Sequence, residues 1–314
     1  MRIAWLFIPS NAENGGIMKM VIKKVMVVGS GFMGSGITQV AAAAGFTVTM
    51  HDTTDEFVRK GLSTIEKNLQ NSVAKGKLNE EEKKSTLNRI TPTVDLAPAR
   101  DCDVVIEAIF ENKQAKTELF RKLDELCPPE VIFASNTSSI PITELAASTR
   151  RSARFAGMHF FSPVPVMKLV EVIRGLKTSK ETAATIKELA EKFGKVPVYV
   201  KDGPGFLVNR VNAALRNEVY RCLAEGVATI EDIDKAMKFG LNHPMGPFEL
   251  GDFVGLEIGL AVAETLWENF KDPKWAPSLI LKKMVASGDL GRKTGKGWYD
   301  YTSGEKKPRT DLNF

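Results

Sequence analysis

Three histidines are the side chains in this sequence best suited to exchange a proton near neutral pH, because imidazole gains and loses its proton there. They are His51, His159 and His243. His51 ends an apolar run and is interpreted as a spacer, and His243 lies in the turn-like stretch Asn-His-Pro-Met-Gly-Pro and is interpreted as structural. His159 differs, because it stands near the end of a predicted strand, where an open α/β sheet forms its ligand-binding crevice.

Glu171 is the expected partner of His159. It interrupts the apolar run 169–173, where a buried carboxylate without a partner would be costly. The segment 162–167, which joins the two predicted strands, is short enough to bring them side by side. A carboxylate that fixes the imidazole tautomer and stabilises the imidazolium suits general base catalysis. A buried pair with a purely structural role is the alternative that the residues leave open.

A glycine-rich loop provides the second candidate site. Three glycines form the pattern G-x-G-x-x-G between the apolar run 25–28 and a helical stretch. The first glycine permits a tight turn, the second lets the backbone approach a pyrophosphate, and the third lets the helix pack on the strand. The N-terminus of the helix can then bind the phosphates. The predicted cofactor loop comprises Gly29, Gly31, Phe32, Met33 and Gly34.

Asp52 indicates which dinucleotide the loop holds. It follows the next apolar run at the spacing where a carboxylate accepts hydrogen bonds from the adenosine ribose. A carboxylate there would repel a 2'-phosphate, and no arginine follows before Arg59. NAD is therefore predicted as the cofactor, in preference to NADP.

The elements that position these residues alternate between short β-branched runs and helical stretches, which predicts an α/β fold with a mostly parallel sheet of the Rossmann type. Strands are predicted at 24–28, 47–51, 104–108, 131–135, 154–161, 168–173 and 196–200. Helices are predicted near 32–44, 55–75, 80–89, 112–127 and 180–193.

The pattern changes at the sequence Gly203-Pro204-Gly205, after which only helical stretches follow, and this predicts a second, smaller all-helical domain. Within the first domain, the polar, lysine-rich segment 55–90 is expected to project as a helical hairpin that holds part of a large substrate. The predicted organisation is a poorly ordered extension at 1–20, a NAD-binding domain at 21–203, a helical domain for dimerisation and substrate at 204–303, and a tail at 304–314. The helices of the second domain are predicted at 206–225, 230–238, 248–254, 256–270 and 278–286.

Composition excludes several other classes of protein. Apolar residues make up 43% and charged residues 26%, as in an ordinary globular chain. The net charge of +5 forms no dense basic stripe, which argues against a nucleic-acid partner and suits an anionic small molecule. The cysteines Cys102, Cys127 and Cys222 lack metal-ligand spacing, so reduced thiols in the cytoplasm and no metal site are expected. The uncharged stretch 25–50 contains five glycines, so a buried βα unit is predicted rather than a membrane span.

Seven motifs in order resemble those of one enzyme family. They are V-G-S-G-F-M-G-S-G-I (28–37), E-A-I-F-E-N (107–112), S-N-T-S-S (135–139), H-F-F-S-P-V-P-V-M-K-L-V-E-V-I (159–173), P-G-F-L-V-N-R (204–210), M-G-P-F-E-L (245–250) and G-R-K-T-G-K-G-W-Y-D-Y (291–301). Together they resemble the L-3-hydroxyacyl-CoA dehydrogenase family, which includes the short-chain 3-hydroxybutyryl-CoA dehydrogenases. The similarity spans nearly everything after Lys23.

The resemblance implies reversible oxidation of the 3-hydroxyl of an acyl-CoA, with hydride passing to NAD, in a homodimer that associates through the helical domain. It implies that His159 is the general base and Glu171 its orienting acid, while Asn209 hydrogen-bonds the reacting oxygen. Ser138 matches a residue that touches both substrate and cofactor. The implied cofactor contacts further include Glu111, Lys116, Ser162 and Lys293, and the implied coenzyme A contacts are Asn68, Lys75 and Ser138.

Two positions depart from the family pattern, since Ser162 stands where asparagine is common and Asn68 where serine is common. A shorter hydroxyl at 162 is expected to alter substrate range or cofactor contact without loss of activity. Three alternatives stay open: a dehydrogenase of a free 3-hydroxy or sugar acid, a lysine-dependent 3-hydroxyacid dehydrogenase, and a non-enzymatic NAD-binding structural protein. The segment 202–210 contains no lysine, which disfavours the second, and the set His159, Glu171, Ser138 and Asn209 disfavours the third.

Overall fold

The computed structural model describes residues 21–312, and the expected N-terminal extension at 1–20 lies outside them. The first domain is built on one sheet of eight strands. The strands are β1 (Lys24–Val28), β2 (Thr47–His51), β3 (Ile90–Thr93), β4 (Val104–Glu107), β5 (Ile132–Ser135), β6 (Phe155–Phe160), β7 (Leu169–Arg174) and β8 (Val196–Lys201). Their order is β3-β2-β1-β4-β5-β6-β7-β8, and every neighbouring pair is parallel except β6 and β7.

Helices cover both faces of this sheet, and they are α1 (Phe32–Ala43), α2 (Asp55–Ala74), α3 (Glu80–Leu87), α4 (Lys113–Leu126), α5 (Ile142–Ala147) and α6 (Lys180–Lys192). In β1, Val25 and Val27 face one apolar core while Met26 and Val28 face the other. A strand covered on both faces reads as a continuous apolar run, which explains why these residues predicted a buried strand. No helix within 21–312 has the length and apolar character needed to span a bilayer.

Each of the predicted strands occurs, which confirms the Rossmann-type α/β fold, but β3 and α5 were not predicted. β3 reads Ile-Thr-Pro-Thr and lies at the edge of the sheet, where proline is tolerated because one side of the strand needs no partner. Its two central residues are exposed, so the strand carries no apolar alternation. α5 has only six residues and therefore shows too little periodicity to recognise.

The helical hairpin of α2 and α3 packs more closely than expected. Val58, Gly61, Ile65 and Leu69 form a buried stripe along α2, and three of these side chains belong to the same apolar core as Val25 and Val27. This three- and four-residue spacing places the stripe on one face of the helix, which lies against α1. The hairpin is therefore docked along the domain over most of its length, in contrast to the freely projecting arm that its polar composition suggested.

The second domain contains the helices α7 (Val208–Ala224), α8 (Ile230–Gly240), α9 (Pro247–Val254), α10 (Leu256–Phe270) and α11 (Leu279–Ala286), as the sequence predicts. It also contains a small antiparallel hairpin of β9 (Tyr299–Asp300) and β10 (Lys307–Pro308), so this domain is not wholly helical. Strands of two residues leave no alternation in a sequence. Because β10 falls in the segment assigned to the tail, the described part of that tail is paired with the domain.

A buried carboxylate fastens this hairpin to α9. Asp252 is almost fully buried and accepts hydrogen bonds from the backbone N–H groups of Trp298 (2.8 Å) and Tyr299 (2.9 Å) and from the Tyr301 hydroxyl (3.1 Å). Burial, opposed in part by these hydrogen bonds, raises the pKa of Asp252 to about 6. The indole ring of Trp298 packs beside it against Phe248. The carboxylate thus holds the C-terminal segment against the helical core.

The raised pKa of Asp252 predicts a specific pH dependence of stability. The folded state binds this proton more tightly than the unfolded chain, so the contribution of Asp252 to folding is most favourable below about pH 4. This contribution to stability decreases as the pH rises through about 6, and above that pH it no longer changes. We expect the Tm of the wild type, relative to that of Asp252→Asn, to fall between pH 4 and pH 7 in thermal unfolding followed by circular dichroism. The exposed Asp101→Asn serves as control, and a Tm difference independent of pH would contradict the assignment.

Candidate active site

His159 and Glu171 lie directly opposite each other on the antiparallel strands β6 and β7. Nδ1 of His159 is 2.8 Å from Oε2 of Glu171, and the carboxylate is fully buried. This confirms that the two residues meet, as the short connection between the strands predicted. The bond fixes the orientation of the imidazole and assigns Nδ1 to the carboxylate.

The second oxygen of Glu171 contacts the other domain. Oε1 accepts hydrogen bonds from the backbone N–H groups of Leu207 (3.1 Å), which precedes α7, and of Val208 (2.8 Å), which begins it. A carboxylate at this position accepts hydrogen bonds from N–H groups that have no partner within the helix. Its negative charge also interacts favourably with the positive end of the helix dipole. Asn209 is the next residue of α7 and is half-buried, so the helix end brings it to the same region as the His–Glu pair.

Two aromatic rings lie close to the imidazole of His159. The centroid of Phe161 lies 4.7 Å away and that of Phe206 lies 5.8 Å away. The side chain of His159 is 8% exposed to solvent. Within residues 21–312, no side chain or backbone group forms a hydrogen bond with its Nε2. One ring nitrogen is therefore held by the protein, and the other is left for a ligand.

The glycine loop has the geometry that a dinucleotide requires. Gly29 has a φ of +103°, and a Cβ there would lie 2.5 Å from the Ala108 carbonyl oxygen. A Cβ on Gly34 would lie 1.7 Å from the Gly29 carbonyl oxygen. At Gly31, by contrast, a Cβ would meet no protein atom within 4 Å. Two of the glycines are required by the fold of the loop itself, while the third leaves an open approach to the N-terminus of α1.

Asp52 follows β2 and is tied to the same loop. Its Oδ2 accepts hydrogen bonds from the backbone N–H (2.7 Å) and the hydroxyl (2.8 Å) of Ser30, and its Oδ1 accepts one from the N–H of Thr53 (2.7 Å). Burial opposes ionisation, but these hydrogen bonds outweigh it and hold the pKa of Asp52 below its usual value. The side chain is therefore an anion at neutral pH, with lone pairs remaining for hydroxyl donors.

A cavity of about 500 Å³ joins the glycine loop to Asp52. Its walls combine the ends of β1 and β2 with an apolar surface from α4 and the segment after β4. This combination of loop N–H groups, an acidic residue and an apolar slot fits the adenosine half of a dinucleotide. The lining residues are Val28, Gly29, Gly31, His51, Asp52, Thr53, Phe57, Leu96, Ala108, Ile109, Phe110, Ala115, Glu118, Leu119 and Lys122.

Glu111 binds the turn that carries Ser138. Its Oε1 accepts hydrogen bonds from the Thr137 hydroxyl (2.6 Å) and from the N–H groups of Ser138 (2.9 Å) and Ser139 (3.1 Å). Burial opposes the charge, but Lys116 and these donors lower the pKa of Glu111. Glu111 and Ser138, predicted separately as ligand contacts, thus form one network.

Lys116 lies behind this network and does not face the cavity. It is 1% exposed, and its Nζ bonds Oε1 of Glu107 (2.5 Å) and Oε2 of Glu111 (3.2 Å). Burial raises the pKa of Glu107 despite the neighbouring lysine. Lys116 is predicted to contact the cofactor directly, but in the structure its ammonium is buried and holds Glu111 in place.

A second cavity, of about 380 Å³, brings together two of the three predicted coenzyme A residues, Asn68 and Lys75, while Ser138 does not line it. Asn68 also donates a hydrogen bond to Gln39 of α1 (3.4 Å), and the exposed Lys75 forms no ion pair in the part of the chain that the structure describes. Phe32, predicted in the cofactor loop, is exposed and lines this second cavity. Met33, predicted in the same loop, packs against the apolar core that contains Val25 and Val27. The wall opposite α2 is formed by Pro163, Val164, Pro165 and Val166.

Two predicted residues are not joined to this site. Ser162 is exposed at the start of the connection from β6 to β7, with no hydrogen bond to the residues that the structure describes. Lys293 pairs with Glu257 in the helical domain, and nothing within 21–312 connects it to the glycine loop or Glu111. The sequence analysis did not single out Asn136, whose Oδ1 accepts the N–H of Phe160 (2.9 Å), next to His159. Its place in the S-N-T-S-S motif was the signal available.

Two protein-family models match this chain, one for each of its two domains. The model of the 3-hydroxyacyl-CoA dehydrogenase NAD binding domain matches residues 24–203, and that of the 3-hydroxyacyl-CoA dehydrogenase C-terminal domain matches 205–301. A probable 3-hydroxybutyryl-CoA dehydrogenase of Bacillus subtilis is 54% identical over 90% of this chain and 98% of its own length. The human mitochondrial hydroxyacyl-coenzyme A dehydrogenase is 44% identical over 93% of this chain and 95% of its own.

A solved structure agrees with these matches. The crystal structure of (S)-3-hydroxybutyryl-CoA dehydrogenase from Ralstonia eutropha superposes with a TM-score of 0.87 at 48% identity, and covers 90% of this chain and 99% of that chain. Fold and site together define an NAD-binding oxidoreductase of two domains. More narrowly, the chain belongs to the 3-hydroxyacyl-CoA dehydrogenase family.

The contrast among the loop glycines yields a test of the cofactor site. Because a Cβ at Gly31 meets no protein atom, Gly31→Ala should leave Tm unchanged and still weaken NADH binding about tenfold or more, by obstructing the pyrophosphate. NADH fluorescence titration beside thermal unfolding measures both quantities. Gly240→Ala, which is equally free of neighbours but lies in α8, should leave NADH binding unchanged. Unaltered NADH affinity in Gly31→Ala would place the pyrophosphate elsewhere.

Proposed function

We propose that the protein interconverts (S)-3-hydroxyacyl-CoA and 3-ketoacyl-CoA of short chain length, with NAD as the hydride carrier. The observation that carries the proposal is the buried His159–Glu171 pair. The strand that bears His159 leads directly into the wall of the cavity that contains Asn68 and Lys75. The names of the Bacillus and Ralstonia relatives support a substrate of the size of 3-hydroxybutyryl-CoA.

The proposed mechanism centres on Nε2 of His159. In the oxidative direction this nitrogen removes the proton of the substrate 3-hydroxyl, and in the reductive direction it returns it. Glu171 keeps the proton of the neutral ring on Nδ1 and stabilises the imidazolium once it forms. Bound NAD supplies the acceptor for the hydride that leaves the same carbon. Ser138 and Asn209 are proposed to donate hydrogen bonds to the reacting oxygen.

Coenzyme A is proposed to bind along α2. Lys75 forms no ion pair in 21–312, so its ammonium is available to a phosphate of the nucleotide. Asn68 lies on the same cavity and supplies an amide for polar groups of the ligand. This cavity is separate from the one beside Asp52, as a reaction between two nucleotide-bearing ligands requires.

The cofactor is proposed to be NAD in preference to NADP. The support is the anionic Asp52, which the N–H of Ser30 orients toward the end of the glycine loop. A carboxylate in this position accepts ribose hydroxyls and repels a 2'-phosphate. Free thiols at Cys102, Cys127 and Cys222 further support a reducing, cytoplasmic environment.

A homodimer through the helical domain is proposed on the basis of its surface. Leu207, Val211 and Ile258 are large apolar side chains that remain about half exposed on or beside α7 and α10. Exposed apolar side chains grouped on neighbouring helices are typical of a surface that associates with another chain. The sequence resemblance implies the same surface.

The direct assay is oxidation of NADH by acetoacetyl-CoA, followed by loss of absorbance. We expect turnover with a higher kcat/KM for acetoacetyl-CoA than for free acetoacetate, and a higher kcat/KM with NADH than with NADPH. Turnover of a free keto acid without turnover of the thioester would refute the acyl-CoA assignment. A preference for NADPH would refute the role of Asp52.

The proton transfer is tested with His159→Asn. The amide can keep a hydrogen bond to Glu171 but cannot act as a base near neutral pH, so kcat should fall roughly 10²–10⁴-fold. NADH affinity measured by fluorescence should stay unchanged, because His159 lies outside the cavity beside Asp52. The half-buried His243→Asn, in the helical domain, is the control. A variant with wild-type kcat would show that His159 is structural.

The dimer is tested by light scattering after size exclusion. The double variant Val211→Lys with Ile258→Lys places two like charges on the apolar surface, so its mass should fall from that of a dimer to that of a monomer. Leu176→Lys, at a still more exposed apolar position of the first domain, should remain dimeric. A monomeric wild type would end the proposal.

A further inference from the structure

Lys195 is a buried cation that the sequence did not single out. It lies between α6 and β8 and is only 6% exposed. Its Nζ donates hydrogen bonds to the carbonyl oxygens of Val164 and Met167, the latter at 2.9 Å. It forms no ion pair with any carboxylate of residues 21–312. The ammonium is therefore held only by the backbone of one short segment.

Such an arrangement carries an energetic cost. An ammonium removed from water without a carboxylate partner loses hydration that two carbonyl groups restore only in part. Burial, together with the nearby charge of Lys168, lowers the pKa of Lys195 accordingly. An uncharged side chain of similar length would fill the same space without this cost. What the ammonium adds is the placement of the two carbonyl groups.

Those carbonyl groups belong to the turn 163–167, which connects the strand of His159 to the strand of Glu171. Within it, the N–H groups of Val166 and Met167 both donate to the carbonyl oxygen of Pro163, at 2.9 Å each. Its side chains from 163 to 166 form the wall of the cavity that contains Asn68 and Lys75. Lys195 is absent from the lining, so it supports the wall from behind.

The other side of the turn rests on α1. A Cβ added to Gly36 would lie 2.8 Å from Cβ of Val164, closer than two such atoms can approach. Helix and turn are therefore in contact at a position that only glycine allows. Val164 is fixed from two directions, by its side chain against α1 and by its carbonyl oxygen on Lys195.

We infer that Lys195 is a positioning residue for the coenzyme A half of the substrate, since it holds the turn 163–167 as a preformed wall of that cavity. The inference rests on the proposed acyl-CoA substrate. Lys195 touches neither the cofactor loop nor the His159–Glu171 pair, so its effect is confined to binding of the nucleotide end. It acts equally on ground state and transition state, which changes KM rather than kcat.

The experiment compares two substrates in the Lys195→Met variant, which keeps the volume of the side chain and removes the ammonium. With saturating NADH, kcat/KM for acetoacetyl-CoA should fall about tenfold or more through KM, because two hydrogen bonds from a charged donor are lost. With acetoacetyl-N-acetylcysteamine, which lacks the nucleotide, kcat/KM should change less than about twofold. Lys192→Met, an exposed lysine at the end of α6, should match the wild type with both substrates.

Equal loss with both substrates, or no loss with either, would overturn the inference. If Lys195→Met does not fold, Lys195→Gln carries the same comparison, because its amide can reach one carbonyl and should give a smaller loss restricted to acetoacetyl-CoA. A wild type that fails to reduce acetoacetyl-CoA would instead refute the proposed function. The two failures are therefore distinguished by the wild-type rate alone.

Discussion

The buried carboxylate of Glu171 is the constraint on which the site depends. One oxygen holds the imidazole of His159, and the other accepts the first N–H groups of α7. A fully buried anion needs all of these donors, because each lone pair left without one would cost free energy. The orientation of the proposed base and the docking of the helical domain are thus one interaction. A shift of α7 that withdrew its N–H groups would leave a buried charge beside His159 with half of its partners.

Carboxylates that accept several hydrogen bonds also lie near other strand ends of the sheet. Asp52 accepts the N–H and the hydroxyl of Ser30, and Glu111 accepts the N–H groups of Ser138 and Ser139. The pKa of each carboxyl is held below its usual value against the effect of burial. Each therefore fixes the loop that presents another predicted ligand contact, the glycine loop in one case and the turn of Ser138 in the other. The ligand-binding geometry is preorganised by anions that belong to the protein, which reduces the ordering needed on binding.

The sequence predicted the parts of the molecule that have a local signature. Val25 to Val28 read as a buried strand because both faces are covered, and Glu171 stood out as a charge in an apolar run that required a partner. The partners at Leu207 and Val208 could not be predicted, because they are backbone groups brought from another domain. Lys195 gave no signal either, since a lysine before a strand is ordinarily exposed. The docking of α2 followed from tertiary packing of a stripe that its polar composition concealed.

The antiparallel pairing of β6 with β7 explains how the acid reaches the base. Strands β1 to β6 run in one direction and present their C-terminal residues at the ligand-binding edge, and β6 brings His159 there in this way. Glu171 lies in the middle of β7, so a parallel β7 would need a long crossover and would lose the register that sets the two side chains opposite each other. The antiparallel ladder between β6 and β7 sets that register. It needs only a short reversal of the chain, through the turn 163–167. The same reversal leaves the turn projecting beyond the sheet edge, where it becomes a cavity wall, so catalytic register and substrate cavity share one structural cause.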